Sequence, residues 1–116
     1  MTFRSEPFDK FKSGAATFEC RAGCAFSYGS KKSDWRAMHA QGRWRDLALS
    51  VMDVGYLSDL SYFLLAESAK NMGLKDAASA YYKRALEAGK QFGCGGAMSS
   101  CEGFEVQKLS SAALRQ

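Results

Sequence analysis

The chain has 116 residues, 47% hydrophobic and 24% charged, which is enough for one core and too few for two, so one compact domain is expected. One proline and eleven glycines exclude the collagen-like and disordered classes, and the longest apolar runs, such as Tyr62 to Ala66, are too short to span a bilayer. A formal charge of +4, with the cluster Lys31, Lys32, Arg36, Arg43 and Arg45 interrupted by Asp34 and Asp46, describes a solvated helical face, and no nucleic acid is expected as a partner.

In chain order, residues 1–19 mix Phe3, Phe8 and Phe11 with charges and show no sustained helical or strand period. They are read as an N-terminal extension that packs through its phenylalanines. Helical spacing is expected over 18–41, with Cys24, Tyr28, Trp35 and Met38 facing inward, a break at Gly29 and Ser30, and Ser30 or Ser33 capping a second piece. Gly42 stops it. A helix over 44–54 follows, with Leu47, Val51 and Val54 on one face, and Gly55 ends that one.

Ser58 and Asp59 offer an N-cap for a helix over 60–71 with a broad apolar face, which Gly73 terminates. Asp76 then sits in the first turn of the next helix, whose buried side is Ala77, Ala78, Tyr81, Tyr82, Ala85 and Leu86 and which ends at Gly89. A Gly/Ser-rich loop covers 92–100. A short amphipathic helix over 106–115 closes the chain, turning Val106, Leu109, Ala113 and Leu114 inward. With no β-alternation, the chain reads as all-α.

Four cysteines form two local pairs, Cys20 with Cys24 and Cys94 with Cys101, out of three connectivities. Local closure is preferred, because Gly93, Gly95 and Gly96 let the second loop turn tightly while the helical pairs hold the two sites apart. Zinc and redox-active thiols are the alternatives, although C-x3-C and C-x6-C depart from the C-x2-C spacing both usually need. Two bridges imply an oxidising compartment. The bacterial periplasm or outer cell surface is expected. Met1 to Ser5 lacks an apolar h-region, so the reading is a mature form whose export signal Met1 replaces, with room for a lipid anchor on the native precursor.

Aligning Gly42 with Gly73 superposes Leu47 on Ala78, Val51 on Tyr82 and Val54 on Ala85, which suggests two successive helix-turn-helix units. From Leu60 to Ala88 the second unit resembles a tetratricopeptide repeat: Tyr62, Leu65, Ala66 and Ala69 on its first helix, Gly73 at the turn, then Ala78, Tyr82 and Ala85. Repeats of that family run about 34 residues, slightly longer than the period here, and the expected closing proline is absent. The first unit, from Asp34 to Gly55, matches mainly at Gly42, Trp44 and the apolar positions of its second helix. The resemblance implies two antiparallel helical pairs over 20–90 and a capping helix within 91–116, stapled by the disulfides.

It also implies a binding scaffold whose groove is lined by the first helix of each unit. Exposed residues among Asp34, Met38, Tyr62, Phe63 and Glu67 would then touch a protein or peptide partner, in an adaptor of assembly or secretion machinery. A second reading makes Ala97, Met98 and Ser99, in the Cys94 to Cys101 loop, the recognition element. An enzyme using Glu67 or Glu87 with Asp76 ranks last. His39 is the sole histidine and reads as a helical residue beside a turn, and there is no nucleophile elbow, phosphate loop or dinucleotide fingerprint. No catalytic residue, metal or cofactor is expected.

Overall fold

The computed structural model describes residues 5–20, 22–94 and 101–115. Among them six helices follow one another: α1 (Ser5–Lys12), α2 (Cys24–Gln41), α3 (Trp44–Val54), α4 (Asp59–Asn71), α5 (Lys75–Phe92) and α6 (Val106–Leu114). The described residues contain no strand. Consecutive helices from α2 to α6 pack on one another, α6 also touches α4, and α1 lies on α3 and α4. α4 is the centre, buried from Asp59 to Ala66 and again at Ser68 and Ala69, as befits a helix that is apolar nearly all round. Buried alanines on it and on α5 (Ala66, Ala69, Ala77, Ala78, Ala85) keep the contact between these two helices close.

The two turns that reverse the chain after α2 and α4 have the same construction. Gly42, at φ 71°, donates its N–H to the His39 carbonyl at 3.2 Å while the Arg43 N–H reaches the Met38 carbonyl at 3.0 Å. Gly73, at φ 82°, donates to Lys70 at 3.1 Å while Leu74 reaches Ala69 at 2.8 Å. In this Schellman arrangement a left-handed residue lets the chain turn back onto the last helical carbonyls. Arg43 and Leu74 then take nearly equal dihedrals, φ −86°, ψ 66° and φ −94°, ψ 74°. The register seen in the sequence therefore places Leu47 and Ala78, and Val51 and Tyr82, at matching buried positions.

The N-terminal residues are more ordered than their missing period implied. Phe8 and Phe11, three apart on the eight-residue α1, are buried; two apolar positions are too few to establish a period. Phe3 lies outside the described residues. Phe11 stacks on Tyr81 with ring centroids 5.7 Å apart. The following segment, 15–20, runs without regular structure as a strap over α5. The Tyr81 hydroxyl accepts from the Ala16 N–H at 3.2 Å and donates to the Phe11 carbonyl at 2.8 Å, and Arg84 Nη1 donates to the Ala16 carbonyl at 2.6 Å.

The strap passes so near Gly55, at φ 72°, that a β-carbon there would sit 2.7 Å from the Glu19 carbonyl oxygen. Gly55→Ala is expected to cost about 1–2 kcal/mol from backbone conformation, before any movement of the strap. Urea unfolding checks it; an unchanged midpoint would contradict the close approach.

Other differences from the expected elements have local causes. α2 begins at Cys24, after Gly23 at φ 84° and beside the Cys20–Cys24 bridge, because Phe18 belongs to the strap, where it packs on Tyr62 with centroids 4.5 Å apart. It runs unbroken through Gly29, where an added β-carbon would meet nothing within 4 Å. Gly29→Ala is therefore expected to raise stability by about 0.5–1 kcal/mol in the same unfolding assay. α5 continues past Gly89 to Phe92, since a glycine inside a packed helix weakens it without ending it. On α6, Val106 and Ser110 are buried while Leu109 is 43% exposed, so the inward face is narrower than expected. Both disulfides close locally, with Cα atoms 5.5 Å apart for Cys20–Cys24 and 5.1 Å for Cys94–Cys101.

Candidate functional site

Glu67, on α4, has a side chain only 18% exposed. One carboxylate oxygen contacts His39 Nε2 of α2 at 2.9 Å, and the other accepts the Tyr82 hydroxyl of α5. An ionised carboxylate can only accept, so the shared proton of the histidine contact resides on Nε2. Burial raises the Glu67 carboxyl, but hydrogen bonds from His39 and Tyr82 outweigh it and hold the group below its ordinary value. Burial, reinforced by the bond to Glu67 and its charge, pushes the Tyr82 phenol up. One carboxylate thus joins three helices. Aromatic rings enclose it: His39 meets Trp44 edge-on at 5.0 Å and Phe104 at 4.8 Å, and Phe104 packs on Phe63 at 5.5 Å.

Phe104 reaches this node from a tight turn. Glu102 at φ 54° and Gly103 at φ 87° are both left-handed, and the Phe104 N–H closes on the Cys101 carbonyl at 3.0 Å. These are the φ signs of a type I′ turn, whose first central position favours asparagine or glycine. A glutamate there carries strain of about 1–2 kcal/mol. The turn is anchored by the Cys94–Cys101 bridge and by Asp59, which is 1% exposed. Asp59 Oδ1 accepts from the Leu60 N–H at 2.7 Å and the Cys94 N–H at 2.8 Å, and Oδ2 accepts from Gln107 Nε2 at 3.2 Å.

Between this turn and α2 opens a cleft of ≈ 430 Å³ lined by Arg36, His39, Ala40, Glu102, Gly103 and Phe104, within the range that holds small ligands or short peptide runs. A second cleft, ≈ 400 Å³, lies among Leu57, Tyr62, Arg84, Glu87, Ala88 and Gln91, where Arg84 is already engaged with the strap. The α2 cleft offers a guanidinium, an imidazole, a carboxylate and an aromatic wall. Among the described residues His39 makes no hydrogen bond to a hydroxyl or thiol that it could activate, and they hold no group of three metal-ligating side chains.

Of the residues expected in a groove, Asp34 is exposed on α2 and Met38 is half-buried against the core. Phe63, 0% exposed, is a core residue, and Tyr62, 8% exposed, packs in the core with only an edge on the second cleft. The strap covers Tyr62 through Phe18, and the turn covers Phe63 through Phe104. Glu67 is the internal node. Ala97, Met98 and Ser99 lie outside the described residues. Glu87 pairs with Lys90 at 3.9 Å and Asp76 is exposed on α5, and no hydrogen bond links either to Glu67. Sequence reasoning missed Arg36, His39, Ala40, Glu102 and Phe104 as one site. The available signals were the i, i+3, i+4 spacing of the first three on one helical face and the Glu-Gly turn dipeptide between Cys101 and Phe104. Comparison with protein-family models, curated proteins and solved structures finds no match to this chain.

Proposed function

We propose that the protein is a small non-catalytic interaction module of the bacterial envelope, an adaptor or assembly factor that captures a segment of a protein partner between α2 and the Cys101–Phe104 turn. The observation that carries this reading is the cleft itself, with Arg36 on its wall making no hydrogen bond or ion pair among the described residues. Its walls are fixed by a disulfide, by Asp59 and by the Glu67 node, and a preformed site loses less entropy on binding. The resemblance of Leu60 to Ala88 to a tetratricopeptide unit favours the same class of activity. For the compartment, the reading rests on the two bridges; among the described residues no helix is long and apolar enough to cross a membrane.

Affinity capture from the envelope fraction of the source organism, under non-reducing conditions, tests this with the native domain and an Ala40→Trp variant as paired baits. Ala40 is exposed on α2, so the indole fills the cleft without entering the core. A protein retained by the native bait and lost by the variant is the expected outcome. Equal retention by both would overturn the cleft assignment, and no retained protein would overturn the adaptor reading.

A second reading, recognition by the Cys94 to Cys101 loop, is favoured by the anchoring of its first residue through Asp59. It predicts that deleting Ala97, Met98 and Ser99 abolishes capture while Ala40→Trp leaves it intact.

A further inference from the structure

We infer that the α5 face under the strap is a peptide-binding site held closed by the protein's own residues 14–18, and that it opens to an extended partner segment of the same pattern, a small residue followed two positions later by an aromatic one. This face shares no residue with the α2 cleft, so the inference stands apart from the capture site proposed above.

The strap lies on α5 as a bound peptide would. Gly14, Ala16 and Phe18 are buried while Ala15, Thr17 and Glu19 are exposed, the alternation of an extended chain on a surface. The grip is on its backbone: both polar groups of Ala16 are taken by α5 side chains, the N–H by the Tyr81 hydroxyl at 3.2 Å and the carbonyl by Arg84 Nη1 at 2.6 Å. Such a grip admits any sequence whose inward side chains fit. Fit is set by close contact: a β-carbon on Gly14 would lie 3.2 Å from the Ala77 α-carbon, Ala16 is 4% exposed, and Phe18 rests on Tyr62.

The register shows where a second segment enters. Gly14 faces Ala77 and Ala80, and Ala16 faces Tyr81 and Arg84, four residues further along α5. Two extended residues advance about 6.6 Å and four helical residues about 6 Å, so the strap runs parallel to α5 in step with it. One more step leads to Ala88. The strap does not take it, because Phe18 turns onto Tyr62 of α4 and the Glu19 carbonyl meets Gly55 at the end of α3. The vacant step is the ≈ 400 Å³ cleft lined by Leu57, Tyr62, Arg84, Glu87, Ala88 and Gln91.

Tyr62 and Arg84 belong to both the strap's seat and the cleft. An incoming segment therefore seats its aromatic side chain on Leu57, Tyr62 and Ala88 first, then replaces Ala16 at Arg84 and Tyr81 bond for bond. α1 and the Cys20–Cys24 bridge hold the two ends of the strap, so it lifts without leaving. It competes at high effective concentration, and the partner's apparent affinity falls by the fraction of molecules whose strap is open.

The test uses the capped hexapeptide Gly-Ala-Ala-Thr-Phe-Glu, a copy of residues 14–19, and its permutation Ala-Phe-Gly-Glu-Ala-Thr, titrated into the isotope-labelled protein. Excess copy peptide should make the Ala16 amide of the native protein exchange with solvent at least threefold faster, as it loses Tyr81. Phe18→Ala weakens the competing strap and leaves the site intact, so it should bind the peptide about tenfold more tightly than the native protein, with saturable shifts at the Ala88 and Gln91 amides. Gly55→Ala, which presses on Glu19 from outside the site, should tighten binding in the same direction and decides the matter if Phe18→Ala does not fold. Adding Arg84→Gln to Phe18→Ala should weaken the peptide about three- to tenfold. Equal affinity for the native protein and the strap variants, with Ala16 exchange unchanged, would overturn the closed state. Equal binding of the permuted peptide would overturn the pattern, and no shift in any of these proteins would overturn the site. The adaptor reading is judged separately, by the paired capture with Ala40→Trp.

Discussion

Replacing Asp59 with alanine is expected to lower the unfolding free energy by about 3 kcal/mol, measured by urea denaturation of the oxidised protein. The carboxylate is 1% exposed and accepts from Leu60, Cys94 and Gln107. Removing it strands the Leu60 and Cys94 N–H groups at the junction of α4, α5 and α6, where a buried unsatisfied group costs about 1–3 kcal/mol and bonds to a charged acceptor stand at the upper end, while the exposed Gln107 amide can turn to water. Position adds to the effect, because Asp59 lies in the first turn of α4, where its charge complements the helix dipole. Asp59→Asn keeps an acceptor oxygen and should lose roughly half as much. Hydrogen exchange at the Cys94 amide gives a local check: faster exchange in Asp59→Ala than global destabilisation accounts for would show that the carboxylate pins the disulfide loop. Equal midpoints for the native protein and Asp59→Ala would refute the anchoring role.

Glu67→Ala is expected to cost about 2–3 kcal/mol near neutral pH, because the variant leaves the Tyr82 hydroxyl, on a side chain 3% exposed, without its acceptor and takes the partner from His39. The effect has a pH signature. The folded-state pKa of Glu67 lies below its ordinary value of 4.5, since the bonds from His39 and Tyr82 outweigh the burial that raises it. A depressed carboxyl pKa contributes stability that is complete above the unfolded value and lost as pH falls through the folded value. The stability difference between the native protein and Glu67→Gln should therefore be level above about pH 5 and shrink as the pH falls below 4.5. A difference that stays constant through that acid range would refute an ionised Glu67 at the node.

Helix identity was largely legible because it follows from near neighbours. The four-and-three spacing of Leu47, Val51 and Val54, the Ser58 cap and the glycines at 42, 55 and 73 act over one or two turns, and the observed elements follow them: Ser58 Oγ accepts from the Ser61 N–H at 3.1 Å, and Trp44–Val54 is helical throughout. The local disulfides follow from short separations and flexible glycines in the same way. The N-terminal residues pack through Phe8 and Phe11 as expected, but α1 itself went unseen because its order is borrowed: it has two buried phenylalanines, and the strap after it gets its hydrogen bonds from Tyr81 and Arg84, 65 and 68 residues from Ala16.

The site was less legible for a related reason. Tyr62 and Phe63 looked like groove residues only while the strap and Phe104 were absent from the picture. His39 looked unremarkable because its partners, Glu67 and Phe104, are distant in the chain. By itself, the sequence determined an all-helical chain, the glycine stops after α2, α3 and α4, the Ser58 cap, most of the inward faces and two short covalent loops, since each depends on contacts within a few residues. Only the tertiary structure decided that one carboxylate ties α2, α4 and α5 together, that Asp59 holds Cys94, and that Glu102 stands across a cleft from Arg36. Those features arise from side chains far apart in the chain, and their proximity is a property of packing that no local pattern encodes.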